Sequence, residues 1–229
     1  RNDTHPIVSV CVYKLDGSIL WRWGNPKSGA NALHSDFACQ IFDWDRDGRA
    51  EVIIATEHHL LALDGASGKE QFRHPIPENA HDCITFADLD GPDQEAVAII
   101  KNRYNDIWAM NRDGAIRWRW APPEGEKTAH QPYPVDLDGD GKEELIAGFA
   151  AIDANGEQIW SLKDAGVDCS KGHLDCARTA VVNEPKGKRY VLMTLCGGDG
   201  IISVDLEGKK QWFLQEFHYE SIDIGRLRT

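Results

Sequence analysis

The feature that most constrains this chain is an acidic run that returns at a fixed spacing. Asp43-Trp-Asp45-Arg-Asp47-Gly48, Asp88-Leu-Asp90-Gly and Asp136-Leu-Asp138-Gly-Asp140-Gly141 begin 45 and then 48 residues apart. Each run sits in the same order of parts: a histidine upstream, a short strand that ends in the acids, an apolar return strand, and a tight hairpin followed by an aromatic strand. One sheet per repeat, at a period of about 45–50 residues, is the pattern of propeller blades. The expected fold is therefore all-β, a β-propeller of four-stranded blades.

The acids alternate along an extended segment, a glycine permits a sharp turn, and Glu51 or Glu144 follows where a wrapped loop returns its side chain. Oxygens so placed suit calcium. An EF-hand needs a glutamate at loop position twelve, but that position holds Ala147, inside an apolar run that reads as a strand. The loops are thus expected to be β-hairpin calcium sites: Asp43, Asp45, Asp47, Arg49 and Glu51 in one, Asp136, Asp138, Asp140, Lys142 and Glu144 in another. A third set, Asp88, Asp90, Asp93 and Glu95, is degenerate, with Pro92 where an aspartate stands elsewhere. The bland alternative for all three is a solvated, aspartate-rich turn.

In chain order, residues 1–33 read as the outer strands of a blade, with a hairpin signal at Asp16-Gly17. Residues 34–78, 79–125, 126–170 and 171–217 read as full blades, and 218–229 as the first strand of another. The fifth unit replaces the acidic loop with Asn183-Glu-Pro-Lys-Gly187. Four full blades and two partial ones do not close a ring, and an open ring leaves sheet faces and edges bare. The expectation is a fragment of a seven- or eight-bladed ring, with the remaining blades supplied by more of the polypeptide or by another chain. The chain opens at Arg1 inside an ongoing repeat, which leaves room for a removed leader or for upstream sequence.

At 229 residues and 41% apolar composition the chain can bury a core, and 21 glycines favour many short strands. No stretch is long and apolar enough for a membrane span. A formal charge of -12 repels a phosphate backbone, so nucleic acid is not an expected partner. Cys39 and Cys83 lie in apolar strands as small core residues. Cys169 and Cys176 flank a short turn, and their spacing admits either a local disulfide or two thiols.

In a four-stranded blade the start of the innermost strand shares a face with the turn between the second and third strands. His34, His81, His130, His173 and His218 are thereby expected on one rim, beside the turn Lys101-Asn-Arg103-Tyr104-Asn105. Cations beside neutral imidazoles suit binding of an anionic sugar and proton abstraction from it. Lys101, Arg103 and Asn105 are the expected binding groups, with Arg103 gripping a carboxylate, and a histidine or Tyr104 moving the proton. The alternative is that each histidine only bonds a neighbouring blade. Three converging histidines would also suit a transition metal. Trp21, Trp118, Trp160 and Trp212 recur at one blade position and are expected to pack the outer strands.

Several segments resemble rhamnogalacturonan lyases of polysaccharide lyase family 11: Tyr13-Lys-Leu-Asp-Gly-Ser-Ile-Leu-Trp21, Asp43-Trp-Asp-Arg-Asp-Gly-Arg-Ala-Glu-Val52, the run from His130 to Gly148 with Ile152-Asp153, and Gly172-His173-Leu-Asp175. Leu174 interrupts a Gly-His-Gly-Asp pattern of those enzymes. The resemblance implies a secreted, calcium-dependent propeller that acts on an acidic, rhamnose- and uronate-containing polysaccharide or oligosaccharide by β-elimination. Two competing readings use the same signals. A non-catalytic FG-GAP-type propeller would use calcium for rigidity and one face for glycan binding, adhesion or assembly. A quinoprotein-like propeller is suggested by Leu63-Asp-Gly-Ala-Ser-Gly68 and the repeated tryptophans.

Overall fold

A computed structural model describes residues 6–28, 37–182 and 187–225. Their strands form five antiparallel sheets, each built from consecutive strands. The first is a hairpin of β1 (Ser9–Tyr13) and β2 (Ile19–Gly24). The second holds β3 (Cys39–Phe42), β4 (Glu51–Ala55), β5 (His59–Asp64) and β6 (Glu70–Pro75). The third holds β7 (Cys83–Ala87), β8 (Val97–Lys101), β9 (Ile107–Met110) and β10 (Ile116–Trp120). The fourth holds β11 (Thr128–Val135), β12 (Glu144–Gly148), β13 (Ala150–Ile152) and β14 (Gln158–Ser161). The fifth holds β15 (His173–Val182), β16 (Lys188–Cys196), β17 (Gly200–Val204) and β18 (Lys210–Gln215). Among the described residues the one helical piece is a 3-10 turn at Pro26–Ser28.

In the second, third and fourth sheets the second strand is largely apolar and fully buried because both its faces are covered. Side chains alternate across a strand, so β4 sends Val52 and Ile54 into a cluster with Trp21 and Ile53 and Ala55 into one with Ile84 and Ile100. Strand β8 repeats the division. Ala98 and Ile100 face the second sheet, while Val97 and Ile99 pack with Leu145, Ala147 and Ile152 of the fourth. A further cluster joins Ile146 and Ala151 to Ala177, Val191, Met193 and Ile202. Each sheet thus shares one dry core with the sheet after it. The fourth strands face water on one side and alternate, as in β6.

The recurring tryptophans latch these sheets together. The indole N–H of Trp21 donates to Gly65 O at 2.9 Å, that of Trp118 to Ala154 O at 2.9 Å, and that of Trp160 to Leu206 O at 3.1 Å. In the second sheet His74 takes this place, 2.9 Å from Arg112 O. The rings lie against glycines of the next hairpin: a Cβ on Gly68, Gly156 or Gly208 would come within 2.8 Å of the indole ahead of it. Those glycines also have φ between +71° and +81°, which side chains rarely adopt. Trp212, at the same place in the fifth sheet, is 47% exposed.

All six cysteines are free thiols, with Cys169 and Cys176 both buried. Of the two arrangements their spacing admits, the structure holds the unbridged one: Cys169 Sγ faces Val167 O and Cys176 Sγ faces Ala177 O.

Candidate functional site

Chemistry-bearing groups collect at the start of the first strands, and the metal-type carboxylates collect at their ends. At roughly 3.3 Å per residue, the five-residue strand β7 keeps Asp82 and Asp88 on the order of 20 Å apart.

At the first end the hub is Asp175, whose side chain is 3% exposed. Its Oδ1 lies 2.9 Å from His173 Nε2 and 3.7 Å from His130 Nε2, and its Oδ2 lies 2.9 Å from His218 Nε2. Residues 173 and 175 lie two apart on strand β15, and the irregular register between Leu174 and Cys176 turns the carboxylate beside the imidazole. Burial pushes the Asp175 carboxyl up, but the bonds from His173 and His218 outweigh it and hold the group below its ordinary value. The second partner histidine responds in kind, its pKa raised by the bond to Asp175.

His130 moves the other way. Burial, followed by the neighbouring His173 and Arg103, pushes its pKa down to about 4, so the ring is a neutral base at neutral pH. Its Nε2 is 3.4 Å from the Tyr104 hydroxyl. The two imidazoles meet edge-on at 4.4 Å between centroids, and Tyr104 closes the group at 4.8 Å from the His173 ring. Burial raises the Tyr104 pKa. Two cations flank that phenol: Arg103 Cζ at 5.2 Å and Lys127 Nζ at 5.0 Å from its centroid.

A second, buried hub holds the arginine in place. Lys101 has no exposed side-chain surface, and its Nζ lies 2.5 Å from Asp82 Oδ2 and donates to Arg103 O at 2.8 Å. Asp82 Oδ1 faces Arg103 NH1 at 3.4 Å. Lys101 was expected to touch a ligand. A fully enclosed ammonium spent on Asp82 instead positions Arg103, and the exposed cation beside Tyr104 is Lys127. Asn105 is exposed in a turn capped by Asn102 Oδ1, which accepts from its backbone N–H at 2.9 Å. His81, next to Asp82, is buried with its pKa lowered by that burial. His34 lies outside the described residues.

Pattern reading missed Asp175, Asp82 and Lys127. The first two carried a signal, a carboxylate one or two residues after a rim histidine. Lys127 carried none. Beside Asp175 a groove of about 510 Å³ opens between the first strands, lined by Gln131, Tyr133, Ala177, Arg178 and Glu220 among others. That size falls in the range of small-molecule sites.

At the other end, two loops gather oxygens. One oxygen from each of Asp43, Asp45 and Glu51 lies within 4.8 Å of the others, and Asp136, Asp138 and Glu144 do the same. The glutamates brace the loops: Glu51 Oε2 accepts from Trp44 N at 2.9 Å and Glu144 Oε2 from Leu137 N at 2.7 Å. Burial, followed by repulsion from the loop aspartates, outweighs those bonds and raises both glutamate pKa values. Asp43 Oδ1 is buried without a hydrogen-bond partner, the kind of acceptor that a hard cation satisfies. Asp47 and Asp140 lie outside these clusters, accepting from the N–H groups of Arg49 and Lys142.

The third loop departs from this. Asp88, Asp90, Asp93 and Glu95 form no such cluster among the described residues. Arg46 NH2 lies 3.1 Å from Asp88 Oδ1 and Arg117 NH2 2.5 Å from Asp90 Oδ2, while Arg46 NH1 donates to Pro92 O. Guanidinium groups lie against two of the acids expected to form the third site. Glu143 of the following loop accepts from Asp88 N at 2.8 Å.

No protein-family model matches the chain. The rhamnogalacturonan endolyase YesW of Bacillus subtilis is 27% identical over 248 aligned positions, covering 81% of this chain and 39% of that protein. The exolyase YesX of the same organism is 25% identical, covering 85% and 41%. The crystal structure of YesW superposes with a TM-score of 0.66 at 25% identity, over 91% of this chain and 44% of that one. A Bacillus licheniformis rhamnogalacturonan lyase superposes with a TM-score of 0.65 at 22% identity, over 91% and 44%. The chain is thus homologous at low identity to rhamnogalacturonan lyases over most of its length, and spans about two fifths of the curated relatives it matches.

Proposed function

We propose that this chain carries the catalytic rim of a secreted polysaccharide lyase that cleaves a rhamnose- and uronate-containing glycan by β-elimination. In this reading its sheets are consecutive blades of a seven- or eight-bladed propeller, completed by further polypeptide or by another chain. The observation that carries it is the grouping of neutral His130, Tyr104, His173 and Asp175 under Arg103 and Lys127. The homology to lyases supports the same reaction class.

Elimination from a uronate needs three things: neutralisation of the carboxylate so that the adjacent carbon can lose its proton, a base for that proton, and an acid for the departing oxygen. Arg103 and Lys127 supply the first as charge-assisted donors. His130, unprotonated at neutral pH, is the base, with Tyr104 beside it to relay the proton. His218, whose pKa the bond to Asp175 raises, is the acid. The electron pair of the broken C–H bond forms the new C=C bond as the glycosidic C–O bond breaks, so no water is consumed.

Calcium in this reading is structural. Asp43, Asp45 and Glu51 would hold one ion and Asp136, Asp138 and Glu144 another, neutralising carboxylates that burial leaves costly to ionise. The test is the ultraviolet absorbance of the unsaturated uronate during incubation with rhamnose-containing uronate polysaccharides. A rise that His130→Ala abolishes is expected. Absence of any rise across the panel, with glycan binding retained, would replace the lyase by a binding propeller.

A further inference from the structure

The cations beside Tyr104 account for one carboxylate of a uronate-bearing chain. The groove next to Asp175 holds an arginine that the elimination does not use. Its walls come from the first strands of three sheets, with Phe86 on β7, Gln131 and Tyr133 on β11, and Arg178 on β15. Arg178 is the one lysine or arginine among its lining residues.

That arginine is exposed but held. Its NH1 donates to Ala177 O at 2.7 Å, and its Cζ lies 5.8 Å from the Tyr133 ring centroid. The ring is fixed in turn: Thr179 N donates to the Tyr133 hydroxyl at 3.4 Å, and Thr179 Oγ1 lies 3.1 Å from that hydroxyl. A guanidinium anchored to backbone and set over a locked ring keeps most of its five N–H donors for another partner. Three carboxylates line the same groove, and each is engaged elsewhere. Asp175 meets His173 and His218, Glu220 lies 3.4 Å from His218 Nε2, and Glu143 accepts from Asp88 N. In a chain of net charge -12, Arg178 thus has no acidic partner among the described residues.

Charge and spacing name the ligand. A planar donor set on an aromatic platform suits a carboxylate, which it grips through paired hydrogen bonds. Gln131 and Ser221 line the same groove with groups that bond sugar hydroxyls. Arg178 stands three residues beyond Asp175 on β15, on the order of 10 Å at the rise of a strand. A single sugar ring held by Arg103 and Lys127 does not span that interval, so the carboxylate at Arg178 belongs to another unit of the glycan. Building on the uronate reading of the rim, we propose that Arg178 binds a second uronate carboxylate of the same glycan chain. It is then a specificity determinant, favouring polymers in which acidic sugars recur over those that carry an isolated one.

The test is calorimetric binding to the whole chain carrying His130→Gln, which prevents turnover. The probe is a rhamnose–uronate oligosaccharide with two uronates, compared with the same oligosaccharide after reduction of its carboxylates to alcohols. Arg178→Met is expected to weaken binding of the acidic form by ~10-fold or more and to leave the reduced form unchanged, with Arg178→Lys falling between. Added to Arg103→Met, the losses should multiply, because each arginine holds its own carboxylate. Binding that does not distinguish the two forms, a loss equal for both, or a double loss no larger than that of Arg103→Met alone overturns the proposal. The lyase reading fails separately. If no polymer yields an unsaturated uronate while Arg178→Met still weakens the acidic form selectively, the assignment of Arg178 stands without it.

Discussion

The two ends of the first strands solve opposite electrostatic problems. At the acidic end, carboxylates are crowded and partly buried, and burial raises the pKa of Glu51 and Glu144. At the imidazole end the buried carboxylate of Asp175 is surrounded by donors and stays below its ordinary pKa. In the first arrangement Arg112 reaches one of the acids, Asp45, at 2.9 Å, and in the second, donors surround the carboxylate. The loop of the third sheet has arginines on two of its acids, Asp88 and Asp90. Crowded carboxylates suit fastening by a cation, and a carboxylate set among donors suits chemistry.

The sharpest way to break this division is to disturb the imidazole end. His130→Gln is expected to lower lyase turnover by about 10²- to 10⁴-fold while the thermal midpoint stays near that of the parent. A fall in midpoint matched to the activity loss would make His130 structural. Lys101→Met probes the one place at that end where structure should dominate. Leaving Asp82 buried without its partner is expected to cost about 3–5 kcal/mol in urea denaturation. A cost under ~1 kcal/mol would mean that water reaches the pair.

Calcium sharpens the comparison from the other side. Chelation should lower the thermal midpoint, Glu51→Gln and Glu144→Gln should each remove part of that response, and neither should alter turnover measured in saturating calcium. The sign with pH follows from the glutamates. Their folded pKa values lie above the ordinary 4.5, so in metal-free protein stability falls as pH rises from that value through the folded ones. The calcium effect is therefore expected to be larger at neutral than at acid pH, and an equal effect at both would remove the glutamates from the site.

The histidines give a smaller effect in two windows. His130, depressed to about 4, costs stability as pH falls from ~6.5 toward that value. His218, raised by Asp175, contributes stability below ~6.5 that is lost as pH rises through its folded value. Imidazole proton resonances titrating in the same direction relative to ~6.5 would refute the pairing. Smallest of all, Arg117→Ala is expected to change stability by less than about 1 kcal/mol and to leave the calcium response intact. A gained calcium response would instead show that the arginine displaces an ion.

Strand order was legible because the repeat dictates it. The alternation Val52, Ile53, Ile54, Ala55 already contains two buried faces, and the Asp-Gly turns fix where strands reverse. The candidate site was legible by type and less so by role. Histidine spacing put His130 and His173 on one rim, but nothing along the sequence says that Lys101 turns inward to Asp82 while Lys127 stays at the surface. That depends on how the third and fourth sheets meet, through β7 and β11. Asp175 was hidden for a similar reason, since its standing comes from the distant His218. The arginines on Asp88 and Asp90 were not legible because Arg46 and Arg117 arrive from outside the motif.

The tryptophan latch has a direction. Its donor always belongs to the earlier sheet and its glycine to the later one, so a sheet has a hook on one side and an eye on the other. Two such sheets join head to tail and never face to face, which is the logic of a heterologous contact that extends until it closes on itself. An array assembled this way tolerates a cut between any two hooks, because the order of the sheets survives. It does not tolerate one inverted member, because that sheet meets its neighbours hook to hook and eye to eye.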